Sequence, residues 1–299
     1  MTRLPGRCGP GAGRWAAGQD GAFLLDTVEA SRAPPTVSAA FPARMVAVSS
    51  LGATSVTVTF AGCGDAFGSG GRYQACIHLR PRGAAPVLLD CGATSLSALR
   101  HSRLHPGEIA AVFVSHLHGD HFGGLPFLIL NEQFARRTRP LTVIGPPGIA
   151  RRLPEAMDCL FPGSAAAARR FPVDTVELRP GADITVAGVR AAAFPADHPS
   201  GAPAVALRLA LGGKVVAYTG DTAWTDALIE VAAGADLLIA EAYYRDKNVP
   251  YHLRHADLAA HCGQLDSPRI VLTHMSDDML DHLDQACFET AEDGLILRI

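Results

Sequence analysis

One seven-residue segment restricts the fold of this chain more than any other feature. Residues 115–121 read Ser-His-Leu-His-Gly-Asp-His and directly follow the apolar run 110–114, which is typical of a buried strand. Because side chains alternate in direction along an extended backbone, the segment can offer two pairs of metal ligands: His116 with His118, and Asp120 with His121. Imidazole nitrogens and carboxylate oxygens suit Zn, Mn or Fe better than Ca or Mg. A surface turn with four unrelated polar residues is the alternative, and this density of ligand types disfavours it.

Three later segments also end an apolar run with a side chain of the metal-binding type. His198 follows residues 191–196, Asp221 follows 214–219, and His274 follows 269–273. Each of these residues alone is more typical of a cap, a turn or an ordinary histidine. Together with the first segment they make seven ligand side chains, and a catalytic zinc ion usually takes three protein ligands plus water.

The combined pattern resembles the metallo-β-lactamase fold superfamily over roughly residues 54–299, through the signature His-x-His-x-Asp-His and three later ligand positions. The resemblance implies one metal ion on His116, His118 and His198, a second on Asp120, His121 and His274, and Asp221 bridging the pair. It also implies an α+β fold, an αββα sandwich of two β-sheets with helices on the outer faces. Periodicity alone indicates no more than an α/β or α+β chain.

The order of predicted elements agrees with such a sandwich. The pattern predicts strands at 54–60, 73–79, 86–90, 110–114, 141–145, 173–178, 184–194, 203–210, 214–219, 236–240 and 269–273. It predicts helices at 93–103, 124–136, 148–160, 224–233 and 255–262. The glycine-rich segment 62–71 is expected to be a hairpin loop beside the metal pocket rather than a phosphate loop, because a strand and not a helix follows it.

The expected chemistry is hydrolysis. Two metal ions roughly 3.5 to 4 Å apart lower the pKa of a shared water, from 15.7 toward about 7 for zinc, and so provide a bridging hydroxide at neutral pH. We expect zinc, with manganese and iron as alternatives that the same ligands accept. Esters, amides and phosphodiesters all suit this chemistry, so the metal site alone does not select the substrate.

Two further residues resemble the glutamate and histidine of the ribonuclease Z-like branch, Glu241 at the end of a predicted strand and His252 before a predicted helix. The resemblance implies that Glu241 orients His252, which stabilises or protonates the scissile phosphate. Asp120, His252 and Glu241 are therefore the expected catalytic residues. In the alternative interpretation Glu241 caps a strand and His252 is an exposed loop histidine.

Other features depart from the tRNA-processing pattern. Only the short segment 199–220 separates His198 from Asp221, no counterpart of a tRNA-gripping arm is evident, and the acidic pair Asp277-Asp278 repels a polyanion. We therefore expect a phosphodiester or related small ester as substrate, with nucleic acid less favoured. The alternatives are a tRNA 3′-processing endoribonuclease, a lactone or other carboxylic-ester hydrolase, and a non-catalytic metal-binding protein.

Composition and charge limit which classes of partner and which cellular compartment are expected. A net charge of −3 gives no global positive field for nucleic acid or membrane binding. The arginines at 136–139, 151–152 and 169–170 are expected on a solvated face, with a phosphate-binding patch as the alternative. Seven cysteines without a Cys-x-x-Cys pair favour a reducing cytoplasm. No apolar run reaches the length of a membrane span. A homodimer is left open.

Residues 1–44 differ in composition from the rest, being rich in Gly, Ala, Pro and Arg. They are expected to be a disordered N-terminal extension, and 45–299 is expected to be the hydrolase domain. A start of translation at Met45 is the alternative interpretation.

Overall fold

The computed structural model describes residues 54–299. The predictions for residues 1–44 and for a start at Met45 lie outside the described residues. The strands are β1 Val56–Gly62, β2 Cys76–Pro81, β3 Val87–Leu89, β4 Ala111–Phe113, β5 Leu141–Gly145, β6 Val173–Glu177, β7 Asp183–Val186, β8 Val189–Pro195, β9 Val205–Leu211, β10 Lys214–Tyr218, β11 Leu237–Glu241, β12 Ile270–Thr273, β13 Glu289–Thr290 and β14 Ile296–Arg298. The α-helices are α1 Ser95–His101, α2 Gly119–Phe122, α3 Leu125–Phe134, α4 Ile149–Leu160, α5 Ala227–Ala232, α6 His255–His261 and α7 Asp277–Leu280. Short 3-10 helices occupy Ser69–Gly71, Pro106–Glu108, Cys262–Gln264 and Leu283–Gln285.

The strands form two seven-stranded sheets, in the orders β14-β1-β2-β3-β4-β5-β6 and β13-β12-β11-β10-β9-β8-β7. In the first sheet β1, β2 and β3 form an antiparallel meander, and β3 to β6 are parallel. In the second sheet β10, β11, β12 and β13 are parallel. The carboxyl ends of parallel strands meet at one edge of a sheet, and the polar segments of interest follow these ends.

Three layers of apolar contacts fix the sandwich. Alternate residues of β1, such as Val58 and Phe60, pack with Leu207 and Tyr218 of the second sheet in a core between the sheets. A second core lies between the first sheet and helices α1, α3 and α4, and a third between the second sheet and α5 and α6. Full burial of each large side chain stabilises the fold by about 1.5–3 kcal/mol. The predicted αββα sandwich is confirmed.

One predicted strand is wrong in its extent. Residues 184–194 form not one strand but the hairpin of β7 and β8, which pair antiparallel. The turn consists of Ala187 and Gly188, whose φ angles are 51° and 76°. Positive φ at both central positions is the geometry of a type I′ turn, and Ala-Gly lacks the Asn or Asp that usually marks it in a sequence.

None of the helices described in residues 54–299 is long and apolar enough to cross a membrane.

Candidate metal centre

All seven predicted ligands lie at the edge where the two sheets present their strand ends. His116 and His118 follow β4, Asp120 and His121 lie on α2, His198 follows β8, Asp221 follows β10, and His274 follows β12. The two pairs of the first segment are separated by a helical turn rather than by strand alternation. His118 is still extended, with φ −78° and ψ 153°, and the single turn of α2 begins directly after it.

The first group consists of His116, His118 and His198, each of which offers one ring nitrogen within 4.8 Å of the others. Nε2 of His198 lies 3.0 Å from Nδ1 of His118. The three rings meet edge to face, with centroids 4.8 to 4.9 Å apart. This convergence of imidazole nitrogens suits a single transition-metal ion.

The second group consists of Asp120, His121, Asp221 and His274. Nε2 of His121 lies 3.3 Å from carboxylate oxygens of both Asp120 and Asp221. Nε2 of His274 lies 3.2 Å from Asp120 and 3.4 Å from Asp221. The donor set of two imidazoles and two carboxylates is again one that Zn, Mn and Fe accept.

Asp221, a member of the second group, also lies beside the first. Its Oδ2 lies 3.8 Å from Nε2 of His116 and 4.0 Å from Nε2 of His198, in addition to its contacts in the second group. A carboxylate in this place can contact two ions at once.

Several buried polar atoms of the centre have no hydrogen-bond partner: Nε2 of His116, Nε2 of His121, Oδ1 of Asp221 and Nδ1 of His274. Leaving one buried polar group unpaired costs about 1–3 kcal/mol. The first three of these atoms converge from two different chain segments, the metal loop and the end of β10. Bound cations would satisfy them, so the residues fit two divalent ions.

The carboxylates and histidines of the second group shift one another's pKa values. Burial alone would raise the pKa of Asp120, but the charge of the neighbouring His121, together with the charge and hydrogen bond of His274, holds it well below its usual range. Burial likewise opposes a raised pKa at His274, yet Asp221 and Asp120 raise it to about 10. The carboxylates thus draw positive charge onto their histidine partners, and bound metal ions would take the place of those protons.

The first group behaves differently. Burial, followed by the charge of His121, lowers the pKa of His116 well below its ordinary value. Burial and the neighbouring His198 also lower the pKa of His118. These rings are therefore neutral at neutral pH, which is the state in which imidazole binds a metal ion.

A family model for the β-lactamase superfamily domain matches residues 86–275 of this chain. The chain belongs to the β-lactamase superfamily. Ribonuclease Z of Ignicoccus hospitalis is 28% identical, over 67% of this chain and 82% of the relative. Ribonuclease BN of Escherichia coli is 27% identical, over 67% of this chain and 83% of the relative.

Solved structures of the superfamily share the fold. The short form of human tRNase Z superposes with a TM-score of 0.67 at 25% identity, covering 81% of this chain and 98% of that one. The metallo-β-lactamase fold protein YhfI from Bacillus subtilis gives a TM-score of 0.68 at 20% identity, covering 83% of this chain and 100% of that one.

Asp90 is a buried residue beside the centre that the sequence did not point to. Its buried carboxylate lies 2.7 Å from Nδ1 of His121 and accepts hydrogen bonds from the Ser115 backbone N–H, the Ser115 hydroxyl and the Tyr218 hydroxyl. A bond from Nδ1–H of His121 leaves its Nε2 free for a metal ion, and such partners orient ligands and raise their basicity. The signal available was an acidic residue at the end of β3, parallel to β4.

Gly220 places Asp221 close to the metal loop. Its φ is +58°, and a Cβ there would lie 2.8 Å from Cβ of Ser115. The same serine approaches Nδ1 of His116 at 3.1 Å through its hydroxyl. Only glycine allows the two loops to approach this closely.

The structure also brings Glu241 and His252 together. Glu241 is fully buried at the end of β11, and one carboxylate oxygen pairs with Nδ1 of His252. The other oxygen accepts the backbone N–H groups of Thr222 and Leu253, at 3.0 and 3.1 Å. The His252 ring lies beside His198, with centroids 4.9 Å apart, so the pair borders the metal centre.

Two acidic features of the sequence are engaged by the protein itself. Asp65, in the glycine-rich hairpin loop, is buried and accepts hydrogen bonds from Phe67 and Ser69 of its own loop. Asp277 accepts the Gly70 N–H, and Asp278 accepts the Arg245 N–H, both at 3.1 Å. Backbone donors therefore offset part of the charge of the acidic pair, which weakens the argument that it repels a polyanion.

Proposed function

We propose that this chain is a dinuclear metal-dependent hydrolase that cleaves phosphodiester bonds, with a small phosphodiester or related ester as its substrate. The observation that carries the proposal is the position of Asp221, within 4.0 Å of ring nitrogens from both histidine groups. A bridging carboxylate between two ligand sets is the arrangement that a two-metal site requires.

The proposed ligands divide as the sequence predicts. His116, His118 and His198 would hold one ion, Asp120, His121 and His274 the other, and Asp221 both. Zinc is the proposed metal, with manganese and iron as alternatives. When bound, the ions supply positive charge at the phosphate and a water of lowered pKa.

His252 is the proposed general acid. Because its Nδ1–H is directed to Glu241, its Nε2 is available to the substrate. Burial would lower the pKa of His252, but the hydrogen bond to Glu241 and its charge raise it. A larger fraction of His252 is therefore protonated near neutral pH, and it can donate a proton to the leaving oxygen or stabilise the charge there.

A tRNA 3′-processing activity is the second candidate. It is favoured by the relatives named ribonuclease Z and ribonuclease BN and by the structural likeness to human tRNase Z. The small substrate is supported by the compact β9–β10 hairpin, which fills most of the stretch between His198 and Asp221.

Hydrolysis of a lactone or another carboxylic ester is a weaker candidate, since it draws only on the shared metal chemistry. A cytoplasmic location and a homodimer stay predictions.

The test measures hydrolysis of bis(p-nitrophenyl) phosphate, p-nitrophenyl sulfate, a lactone and a precursor tRNA, together with metal content. Asp120→Ala and Asp221→Ala should lower turnover by orders of magnitude, while Asp174→Ala, an exposed carboxylate on β6, should not. Phosphodiester turnover without tRNA cleavage supports the small substrate, and cleavage at the tRNA 3′ trailer supports the second candidate. Full hydrolysis of every ester by Asp120→Ala would overturn the two-metal mechanism.

A further inference from the structure

A cavity of about 710 Å³ lies on the outer side of the first sheet, where α1 and α3 end. Its lining comes from the C-terminal turns of these helices and from the 3-10 helix Pro106–Glu108. Helix α3 starts beside the metal loop and contains ten residues, which span about 15 Å. The cavity is therefore separate from the metal centre.

The two carboxylates in the lining are already matched by arginines. Glu132 is 2% exposed and lies 3.6 Å from Arg137. Arg137 is itself buried and donates to the carbonyls of Ile109 and Pro140, at 2.6 and 2.7 Å. Glu108 pairs with Arg80, which lies outside the cavity lining. Each carboxylate is thus paired with one arginine, and Glu108 also interacts more weakly with Arg139 and His105.

Four exposed arginines remain in the lining: Arg100, Arg103, Arg136 and Arg139. The exposed His105 lies in the lining as well. Arg100 donates to the side-chain oxygen of Asn131 at 2.6 Å, a neutral partner. The carbonyl ends of α1 and α3 contribute only about half a negative charge each. The cavity therefore has a net positive charge, although the chain as a whole has −3.

We propose that this cavity is a second ligand site, which binds a phosphate-bearing molecule of nucleotide size. Guanidinium groups bind phosphate oxygens through paired hydrogen bonds, and four of them around one concavity can engage more than one phosphate group. The volume falls within the range of about 300–1,000 Å³ that is usual for small-molecule sites. A concave site suits a compact nucleotide better than an extended RNA strand, which would need a longer basic track.

The variants for the test remove charge without disturbing the backbone. Arg100→Glu with Arg139→Glu reverses two cavity charges at positions of ordinary φ. Arg103 and Arg136 have φ of 55° and 58°, so their charges are removed with Arg103→Asn and Arg136→Asn, since asparagine tolerates this conformation. Arg170→Glu with Arg179→Glu, at two exposed positions outside the cavity, is the matched control.

The probe is a fluorescent methylanthraniloyl derivative of AMP-PNP, a triphosphate whose β,γ bridge resists hydrolysis. It is titrated with the metal-loaded protein by fluorescence anisotropy, and chromatography of the mixture checks that its α,β bond stays intact. Each cavity variant should bind the probe about tenfold or more weakly than wild type, because charged phosphate contacts are lost. The control variant should bind it less than about twofold more weakly. Turnover of bis(p-nitrophenyl) phosphate should be the same in all of these proteins, which separates this site from the proposed function.

Three results would overturn the proposal. These are absence of probe binding at millimolar concentration, equal weakening in the control variant, and loss of binding in Asp221→Ala, which would place the probe at the metal centre. In the last experiment, binding of a single-stranded RNA oligonucleotide to the same proteins is measured. If the RNA bound through the cavity arginines and the nucleotide did not, the cavity would be part of an RNA-binding surface instead.

Discussion

The backbone carbonyl of Tyr251 lies 2.9 Å from Nδ1 of His198 and accepts its hydrogen bond. This contact leaves Nε2 of His198 facing His118. The residue after Tyr251 is His252, which pairs with Glu241, and Leu253 donates its N–H to the same glutamate. One short segment therefore orients a proposed metal ligand and the proposed acid together.

The first prediction separates the Tyr251 carbonyl from its side chain. Tyr251 has a φ of 68°, a conformation that glycine adopts freely and a β-branched residue adopts only with strain. Tyr251→Gly should keep the metal content and turnover of wild type. Tyr251→Val should displace the carbonyl and lower metal affinity by about 10–100-fold, as is usual when the partner of a ligand is lost. Metal analysis after dialysis checks this, and equal losses in both variants would mean that the tyrosine ring and not the carbonyl is needed.

The second prediction concerns the proton donated by His252. His252→Ala should lower the turnover number by about 10²–10⁴-fold for a phosphodiester with an alkyl leaving group, which needs a proton. The loss should be much smaller for bis(p-nitrophenyl) phosphate, because p-nitrophenolate leaves without protonation. Glu241→Gln should give the same pattern in weaker form, since His252 stays in place but loses its ionised partner.

The measurement for this second prediction is the ratio of turnover numbers for the two leaving groups in each variant. His261→Ala on α6 is the control and should leave the ratio unchanged. If His252→Ala lowered both substrates equally, His252 would be acting on binding or folding, and its role as an acid would be wrong.

The third prediction concerns the carboxylate behind His121. Asp90 has a φ of 57°, which asparagine tolerates, so Asp90→Asn preserves the backbone while removing the charge and one acceptor. We expect metal affinity to fall by about 10–100-fold. Tyr218→Phe removes only one of the donors to Asp90 and should have a smaller effect. Competition with a chelator gives both affinities, and a larger effect of Tyr218→Phe would show that packing between the sheets dominates.

The fold and the clustering of the seven ligand side chains could be predicted from the sequence for a physical reason. Ligands that follow buried strands running in the same direction lie at one edge of the sheets, so their strand-end positions predict the cluster. Glu241 and His252, eleven residues apart, were instead predicted from their resemblance to the ribonuclease Z-like branch. Their roles stay predictions, because geometry gives proximity and not reactivity.

What the sequence could not give depends on long-range contacts. Asp90 meets His121 and Tyr218 across 31 and 128 residues, and no spacing pattern marks such a partner. The edge strands β13 and β14 contain only two and three residues, too few to show alternation. The basic cavity likewise combines arginines from two helix ends, only some of which stand together in the sequence.

The last prediction concerns a buried histidine that is not among the proposed metal ligands. His78 on β2 is 1% exposed, and neither of its ring nitrogens has a hydrogen-bond partner. Burial, with a smaller contribution from Arg80, lowers its pKa from 6.5 to about 4. Between these values the unfolded chain binds the proton and the folded chain does not. His78 therefore adds no pH-dependent cost above about pH 6.5, and it destabilises the fold progressively as the pH falls toward 4.

We expect His78→Leu to remove this pH dependence. Between about pH 7 and pH 5.5, wild type should lose about 1 kcal/mol more unfolding free energy than the variant, from the linkage of one such group. Urea denaturation at several pH values measures the difference. Thr59→Val is the matched control, because Thr59 is buried opposite His78 on β1 and does not titrate, so it should keep the wild-type slope. Parallel pH profiles for wild type and His78→Leu would mean that His78 is protonated equally in both states, and that the burial does not control its charge.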